Sequence, residues 1–308
     1  MRIVSLVPAA TEIACAIGLT GELVGASADS DWPPEIRGLA PVTRPAAPGA
    51  ERSVRGDRRR LLAAAHGCIA EQVVDRDALG RLAADLVLGQ DRCPGCSQDV
   101  RPAGTILTDL RPAPAFVSLE PGSIEGILNA ITTVGAMTET EDDAIDLVEA
   151  LRARLGSVEQ LVEERRDAGR HPRRVVALQQ LDPPAAAGHW VPEQILRAGG
   201  WELLGEAGAA PVATSWEAVR DVDPEVLLLM PAELDLEAGL AAWDRTPLPR
   251  FWEDITAVRT GQVFLVDGPG LFARPGPRVI DGIELLAELL DPDAFVDVAP
   301  PGSWVPLG

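Results

Sequence analysis

Short apolar runs alternate along the chain with longer stretches in which apolar residues recur every three or four positions. Runs of about five residues suit buried strands, and the longer spacing is typical of amphipathic helices. This alternation predicts parallel sheets covered by helices. Strands are predicted at residues 3–7, 23–26, 86–89, 116–119, 175–178, 226–230 and 263–266, with weaker candidates near Val42 and Ile106, and helices at 192–198, 236–242 and 277–290.

The middle of the chain has a different pattern. From residue 124 to about 168 the sequence predicts helix, broken once near 137–140, because residues such as Val148, Leu151 and Leu155 recur at helical spacing. The sequence therefore predicts an α/β fold of two Rossmann-like lobes with parallel sheets, joined by a long α-helical linker. The predicted parts are an N-terminal lobe at 1–120, a helical linker at 121–170 and a C-terminal lobe at 171–308. Residues 44–60, rich in Pro, Gly and Arg, are predicted to be loop.

Composition excludes several classes of partner. The chain has 308 residues, of which 46% are hydrophobic, enough for two ordinary cores. Its formal net charge of −20 disfavours binding to nucleic acid or to anionic lipid surfaces. No apolar run approaches the roughly 20 residues of a spanning helix, so membrane insertion is not expected. Four cysteines are too few and too unevenly placed for a secreted disulfide framework.

The first residues suggest a location. Met1 and Arg2 run directly into the predicted strand at 3–7, and no charged region, apolar segment and cleavage site of an export signal comes before it. We therefore expect a cytoplasmic protein, an expectation that argues against docking on an ABC permease.

Ligand contacts are expected at the loops that follow the strands. In parallel α/β sheets these loops meet helix N-termini, which offer free N–H groups and a favourable dipole. A stiff linker would restrain the lobes to a small rocking motion, so we expect a ligand to lie between them.

Cysteine and histidine residues are the candidate metal ligands. Cys93 and Cys96 follow a predicted strand, where a helix dipole would favour the thiolate, and they could bind a soft metal, form a redox pair or remain free thiols. A structural zinc site requires about four ligands, and no second Cys-x-x-Cys pair supplies them. His189 lies in a Gly-rich loop and could be an axial ligand for cobalt or iron, or it could bond a loop carbonyl.

The aromatic and charged candidates have structural alternatives too. Trp32, Trp190 and Trp216 fall on loops assigned to the cleft, where their rings could cover a large planar ligand, although any one of them could be core. The remaining tryptophans, Trp201, Trp243, Trp252 and Trp304, are predicted to pack against helices or sheet edges.

Arg274 and Arg278 flank the predicted start of the last helix. They are expected either to form an anion site or to pair with acidic residues, and the same two alternatives apply to Arg44. Glu12 is expected to cap the first helix or to bond the ligand.

Six segments carry a family resemblance. Residues 2–12, 31–35, 42–44, 90–96, 187–193 and 272–278 together resemble the cobalamin-binding branch of the helical-linker (type III) periplasmic-binding and ABC transporter substrate-binding proteins, in particular its leaderless members. The resemblance implies a type III fold and a corrinoid, haem or iron chelate as ligand. The position of loops after the strands and the family resemblance together indicate the ligand-binding residues. These are Pro8, Thr11, Glu12, Asp31, Trp32, Arg44, Gln90, Asp91, Gln180, His189, Trp190, Trp216, Phe272 and Arg274.

The chain also departs from the family pattern. Residues 28–32 lack the His and Cys that the resemblance leads us to expect, residues 231–233 lack a Cys-Gly-Phe type of sequence, and Leu271 stands where an aromatic residue is expected. The leading hypothesis is a cytoplasmic protein that holds cobalamin or a related tetrapyrrole in the interlobe cleft, without a nucleotide motif. An enzyme that uses Cys93 with His189 or Asp91, and the substrate-binding component of an ABC importer whose true start lies upstream, are the alternatives.

Overall fold

The computed structural model describes residues 1–45, 72–90 and 107–307. The chain forms two compact units. Unit 1 contains Met1–Pro121, Glu125–Ala150 and Pro275–Pro277, and unit 2 contains Gly122–Ile124, Leu151–Arg274 and Arg278–Gly308. The division into two lobes and a separate linker stays a prediction. None of the helices within the described ranges is both long and apolar enough to cross a membrane.

Unit 1 is built on a five-stranded parallel sheet. Its order is β3-β2-β1-β6-β7, and β1 and β6 are buried along their whole length because each is a short apolar run. A separate antiparallel pair, β4 and β5, holds Arg44, so the predicted loop starts later than residue 44. The strands are β1 (Ile3–Ser5), β2 (Leu23–Ala26), β3 (Ala40–Pro41), β4 (Thr43–Pro45), β5 (Gln72–Val74), β6 (Leu86–Gly89) and β7 (Ala115–Ser118).

Helices α1 (Pro8–Ala16) and α2 (Arg76–Leu82) belong to unit 1. Proline suits the first position of α1, since it lacks the N–H group that would have no partner there. Helix α2 begins after Asp75, whose Oδ1 accepts the Ala78 N–H at 2.9 Å.

Two helices follow β7, α3 (Ile124–Thr138) and α4 (Glu141–Asp167). They confirm the predicted helical stretch and its break, where Glu139 adopts a left-handed conformation with φ of 58°. The predicted apolar stripe of α4 is buried at Val148, Leu151 and Leu155. In unit 2, Arg154 of α4 bonds both Asp281 and Glu284.

Unit 2 contains a seven-stranded mixed sheet. The central strands β8, β12 and β13 are parallel. Antiparallel pairs join β9 to β8, β11 to β9 and β14 to β13, and β10 pairs in parallel with the first residues of β8. The strands are β8 (Arg173–Leu181), β9 (Pro184–Ala186), β10 (Gly200–Glu202), β11 (Val212–Ala213), β12 (Val226–Leu229), β13 (Val263–Val266) and β14 (Trp304–Pro306).

Unit 2 also contains five short or medium helices after α4. They are α5 (Val191–Arg197), α6 (Trp216–Val222), α7 (Leu236–Trp243), α8 (Thr256–Arg259) and α9 (Val279–Leu290). Its core lies on the sheet at residues such as Val176, Leu227 and Leu265, which are fully buried. The strands and helices predicted there are confirmed within two residues at each end, except that β8 ends at Leu181, three residues after its predicted end.

Both sheets reverse their winding beside the first strand. In unit 1 the chain moves from β1 outward to β2 and β3, then returns to place β6 on the other side of β1. In unit 2 it moves from β8 to β9, β10 and β11 on one side, then returns to β12 on the other. In open α/β sheets, ligands bind at the carboxyl ends of the strands at such a reversal. The fold therefore directs attention to the residues after β1 and β6 and after β8 and β12.

Candidate ligand-binding site

A buried network of hydroxyl groups lies at the carboxyl end of β1 in unit 1. Thr11 Oγ1 donates to Ser5 Oγ at 2.9 Å and lies 2.8 Å from Ser30 Oγ, which in turn lies 2.8 Å from Ser27 Oγ. Ser5 and Thr11 are fully buried. Thr11, predicted as a ligand residue, thus joins β1 and α1 to the loop that follows β2.

That loop presents two other predicted residues, Asp31 and Trp32. Both side chains are exposed, and 46% of Trp32 is accessible to solvent. The Ala28 N–H donates to Thr43 Oγ1 at 2.9 Å and so fixes the start of the loop. The loop therefore offers an anchored, accessible aromatic surface.

Glu12 does not cap α1. The helix begins at Pro8, so Glu12 lies beyond the first turn and the capping expectation is wrong. Its carboxylate is buried and has interaction partners. Unit 1 also contains Pro275–Pro277, and a side-chain carbon on Gly276 would lie 3.2 Å from Glu12 Oε2. Glu12 is therefore a packed carboxylate next to this short segment.

Three more predicted residues of unit 1 lie in varied surroundings. Pro8 is half-buried at the first position of α1, Gln90 is half-buried directly after β6, and Arg44 is exposed on β4. Pro8 and Gln90 thus follow the two strands that flank the reversal in this sheet. Arg44 lies on the separate β4–β5 pair.

The Gly188–Trp190 loop of unit 2 is tightly packed. His189 has a left-handed φ of 54°, its N–H donates to Ala209 O at 2.6 Å, and its carbonyl accepts the Gly208 N–H at 2.8 Å. A side-chain carbon on Gly188 would lie 2.5 Å from Ala209 O, so only glycine fits there. The backbone of His189 makes both of these bonds, so the predicted bond from its imidazole to a loop carbonyl stays a prediction.

His189 and Trp190 are buried side by side. Their ring centroids are 5.7 Å apart with an interplanar angle of 28°, and the side chains are 8% and 2% exposed. Trp190 immediately precedes α5. A ligand contact by either ring stays a prediction, and it would require part of this packing to open.

Gln194, which the sequence analysis missed, joins two segments of the predicted site. Its Nε2 donates to Leu271 O at 3.1 Å and to Val279 O at 2.9 Å. The side chain is fully buried, and it belongs to the helix that follows Trp190. Gln194 therefore fixes both ends of the segment that contains Phe272 and Arg274. Nothing local in the sequence marks such a long-range role.

Phe272 and Arg274 differ in exposure. Phe272 lies in a π-helical turn, Pro269–Ala273, and is fully buried, so its ring packs inside unit 2. Arg274 is half-buried and, like Arg278, has interaction partners. The choice between an anion site and ion pairs for these arginines stays open.

Glu202 is a second residue that the sequence did not reveal. Its Oε2 accepts the Ala177 N–H at 2.9 Å, and its Oε1 accepts the N–H groups of Leu204 and Gly205 at 3.0 and 3.1 Å. Burial raises the pKa of the Glu202 carboxyl to about 7, although these backbone donors act in the opposite direction. A side-chain carbon on Gly205 would lie 2.1 Å from Ala187 O, so Glu202 positions a turn that supports the residues before His189.

The remaining predicted residues of unit 2 are Gln180 and Trp216. Gln180 is half-buried near the end of β8, and its Nε2 donates to Asp182 O at 3.4 Å. Trp216 forms a cluster with Trp243 and Trp252, with centroids 6.5 and 5.4 Å from its own ring. This packing is the core alternative left open for Trp216, and its contact with a ligand stays a prediction.

The other tryptophans behave in two ways. Trp243 and Trp252 pack against the core as predicted, and Trp304 contacts Phe264 edge to face. Trp201 is 64% exposed on the edge strand β10, so the prediction that it packs is wrong.

The predicted metal ligands are only partly described. Asp91, Cys93 and Cys96 lie outside the described residues. Within residues 1–45, 72–90 and 107–307, no group of three or more His, Cys, Asp or Glu side chains could hold a metal ion. Cys15 is a half-buried free thiol, and burial raises its pKa. The role of Cys93, Cys96 and His189 in metal binding stays a prediction.

Comparison with known proteins gives a family model and a curated relative. A family model described as periplasmic binding protein matches residues 3–269. The uncharacterized ABC transporter substrate-binding lipoprotein YvrC of Bacillus subtilis (strain 168) is 24% identical over 302 residues, covering 96% of this chain and 81% of the relative.

These findings overturn the predicted cytoplasmic location. The family is periplasmic and the relative is a lipoprotein, both of which point away from the cytoplasm. The prediction rested on what comes before Ile3 in the sequence, whereas the match to the family extends over most of the chain.

Solved structures agree with the fold. A periplasmic heme binding protein from Pseudomonas aeruginosa has a TM-score of 0.70 and 19% identity, covering 95% of this chain and 93% of that chain. The vitamin B12 binding protein BtuF of Vibrio cholerae has a TM-score of 0.64 and 22% identity, covering 94% and 96%. Together with the two units built on parallel strands, the family match shows that the chain belongs to the periplasmic binding protein family and has the type III fold.

Proposed function

We propose that the chain is the substrate-binding component of an ABC importer and that it binds a tetrapyrrole-type ligand, either a corrinoid or haem. The observation that carries the proposal is the set of structural relatives with this fold. Their names include haem and vitamin B12 binding proteins, among them the heme-binding protein BhuT in complex with two hemes, with a TM-score of 0.68.

The residues at the carboxyl ends of the strands support such a ligand. Trp32 offers an accessible ring on a loop that the Thr11–Ser30 contact anchors. A large planar ligand gains contact area from such a ring, on the order of 200 Å² for a fully buried tryptophan. In unit 2, His189 and Trp190 supply an imidazole next to an indole. A neutral imidazole is a common axial ligand of iron and cobalt.

Titration of the purified protein tests the proposal. Cyanocobalamin and hemin are added separately while tryptophan fluorescence and visible absorbance are recorded. We expect saturable quenching with one of the two ligands. Absence of any saturable change with both at high micromolar concentration would contradict the proposal.

Two tryptophan variants sharpen this test. Trp32→Ala should weaken ligand binding about tenfold, as loss of an aromatic contact often does. Trp201→Ala is the matched control, since Trp201 is exposed on β10 and is not a predicted ligand residue. Equal weakening by both variants would count against Trp32 as a specific contact.

His189→Ala tests the imidazole as an axial ligand. If His189 coordinates haem iron, the variant should shift the Soret band of the haem complex, and if it coordinates cobalt, the variant should shift the visible bands of the cobalamin complex. An unchanged Soret band would remove His189 from the proposed haem ligands.

A further experiment measures coupling to transport. If the protein works with an ABC permease, it should stimulate ATP hydrolysis by the transporter only when the ligand is present.

A further inference from the structure

Arginine is concentrated where α4 ends and β8 begins. Residues 165–174 contain five arginines, in a chain whose 27 basic side chains are all arginine and whose net charge is −20. Four of the five line a single pocket of unit 2 that is partly open to solvent. This pocket lies at the amino end of β8, whereas the proposed tetrapyrrole site involves residues after the strands.

A buried carboxylate holds two of these arginines in place. Arg165 donates from Nε to Asp291 Oδ2 at 2.7 Å and from Nη2 to Oδ1 at 3.2 Å. Arg170 Nη2 lies 3.4 Å from Asp291 Oδ1 and donates to Leu290 O at 3.1 Å. The Asp291 side chain is only 9% exposed. These two guanidinium groups are therefore positioned before any ligand arrives.

The other two arginines keep most of their donors unused. A guanidinium has five N–H groups. Arg166 donates from Nη1 to Glu163 at 3.1 Å, and Arg173 donates from Nη2 to Glu225 O at 3.4 Å. Arg173 Nε is buried, lies 4.0 Å from Glu225 Oε1, and has no hydrogen-bond partner in the part of the chain that the structure describes. The terminal N–H groups of Arg166 and Arg173 that make no such bond are the donors available to a ligand in the pocket.

The rest of the pocket is apolar. Val162, Leu196, Leu290 and Phe295 contribute to its lining, and Leu196 is 57% exposed although it is a large aliphatic side chain. Neighbouring carboxylates neutralise most of the arginine charge, so recognition depends on directed N–H donors more than on net charge. At physiological salt, repulsion from the distant acidic surface is screened beyond about 8 Å.

We propose that this pocket binds a phosphate monoester with a short apolar tail. Guanidinium groups match the oxygens of phosphate in pairs, and the Arg166 and Arg173 donors would contact them. The tail would cover Leu196 and Val162. A soluble ester and the headgroup of an anionic lipid share this chemistry.

Calorimetric titration with hexyl phosphate, inorganic phosphate and hexanol at pH 7.5 tests the proposal. We expect saturable one-to-one binding of hexyl phosphate, at least about tenfold tighter than that of either part alone, because the donors and the apolar wall act together. No saturation by about 10 mM, which corresponds to a negligible affinity, would overturn the proposal. Equal binding of hexanol or of inorganic phosphate would also overturn it.

Adjacent arginines provide a matched pair of variants. Arg173→Gln should weaken hexyl phosphate binding about tenfold, whereas Arg174→Gln should change it less than about twofold. Arg174 follows Arg173 on β8 and contacts the same Glu225, at 3.6 Å, but does not line the pocket. Equal weakening by both would show non-specific attraction and overturn the site.

A second variant protects the test against unfolding. Arg166 is 55% exposed and pairs with Glu163 on the helix surface, so Arg166→Gln should leave thermal unfolding unchanged while weakening binding. Unchanged binding in this variant would contradict the proposal. Titration of Arg173→Gln with cobalamin and hemin should match the unaltered protein, which separates this site from the proposed function.

Sedimentation with phosphatidylcholine vesicles that contain phosphatidic acid identifies the source of the phosphate. Vesicle binding that hexyl phosphate competes away supports the site with a lipid headgroup as its ligand. Calorimetric binding without vesicle binding supports the site with a soluble ester as its ligand.

Discussion

The carboxyl ends of the two sheets are held together by different chemistry. In unit 1, neutral hydroxyl groups of Ser5, Thr11 and Ser30 connect the elements, and the loop that they anchor leaves Trp32 accessible. In unit 2, a carboxylate of Glu202 and an amide of Gln194 make the connections, and the neighbouring aromatic rings are buried. Hydroxyl groups do not ionise, so only unit 2 should respond to pH through these connections.

The largest expected effect on stability is therefore the pH dependence that Glu202 gives to unit 2. Its folded pKa of about 7 lies above the ordinary value of 4.5, so its protonated form stabilises the fold most below pH 4.5, and this contribution is lost as the pH rises through 7. The loss amounts to about 3 kcal/mol. Urea unfolding of the unaltered protein and of Glu202→Gln between pH 4.5 and 8 measures it as a difference in slope.

The Gln variant should be less stable at low pH, because its NH₂ group faces a backbone N–H donor, and it should lack this pH slope. The same slope in both proteins would show that another group is responsible.

The next largest expected effect on stability comes from the tight packing of the loop that contains His189. Gly188→Ala would bring a methyl group against the backbone at Ala209 and Pro211, and we expect it to lower the free energy of unfolding by about 2 kcal/mol. Denaturant unfolding of the whole protein measures the change. Unaltered stability would mean that the loop can move away without cost.

Unit 1 should be less sensitive to the loss of one of its connections. Thr11→Val keeps the shape of the side chain and removes the hydroxyl group that bonds Ser5, so we expect a loss of about 1 kcal/mol. Thr133→Val is the control, since the Thr133 hydroxyl only bonds Asn129 O on the exposed surface of α3. An equal effect of both variants would contradict the role assigned to the buried network.

The smallest expected effect is a gain in stability rather than a loss. Gly156 lies inside α4, and nothing lies within 4 Å of an added side-chain carbon. Gly156→Ala should raise the free energy of unfolding by up to about 1 kcal/mol, because alanine loses less backbone entropy in a helix. Thermal unfolding measures the gain, and a loss would show that the helix is constrained at this position.

The sequence predicts buried elements better than edges. Continuous apolar runs such as Val226–Leu229 identify central strands because both faces of those strands are covered. The edge strands β10, β11 and β14, and β9 next to β11, were missed because they lack such a run and are assigned by their partners.

In the candidate site, too, residues with a local sequence signal are easier to predict than residues whose partners are distant in the sequence. The position after a strand indicated Thr11, Trp32 and His189, whose neighbours in sequence include turns and helix starts, and their contact with a ligand stays a prediction. This criterion could not find Gln194 and Glu202, since their partners lie up to 85 residues away in the sequence. The location in the cell was predicted wrongly because it rested on a few residues at the start rather than on the fold.

The reversal of the chain beside β1 separates the residues that form the sheet from the residues that face a ligand. Strands β1 and β6 pair through backbone groups and buried apolar side chains, while the segments that follow them lie beyond the paired residues. Exchanging those segments between relatives should transfer ligand preference without refolding the sheet, and engineers could use unit 1 as a platform for grafted recognition.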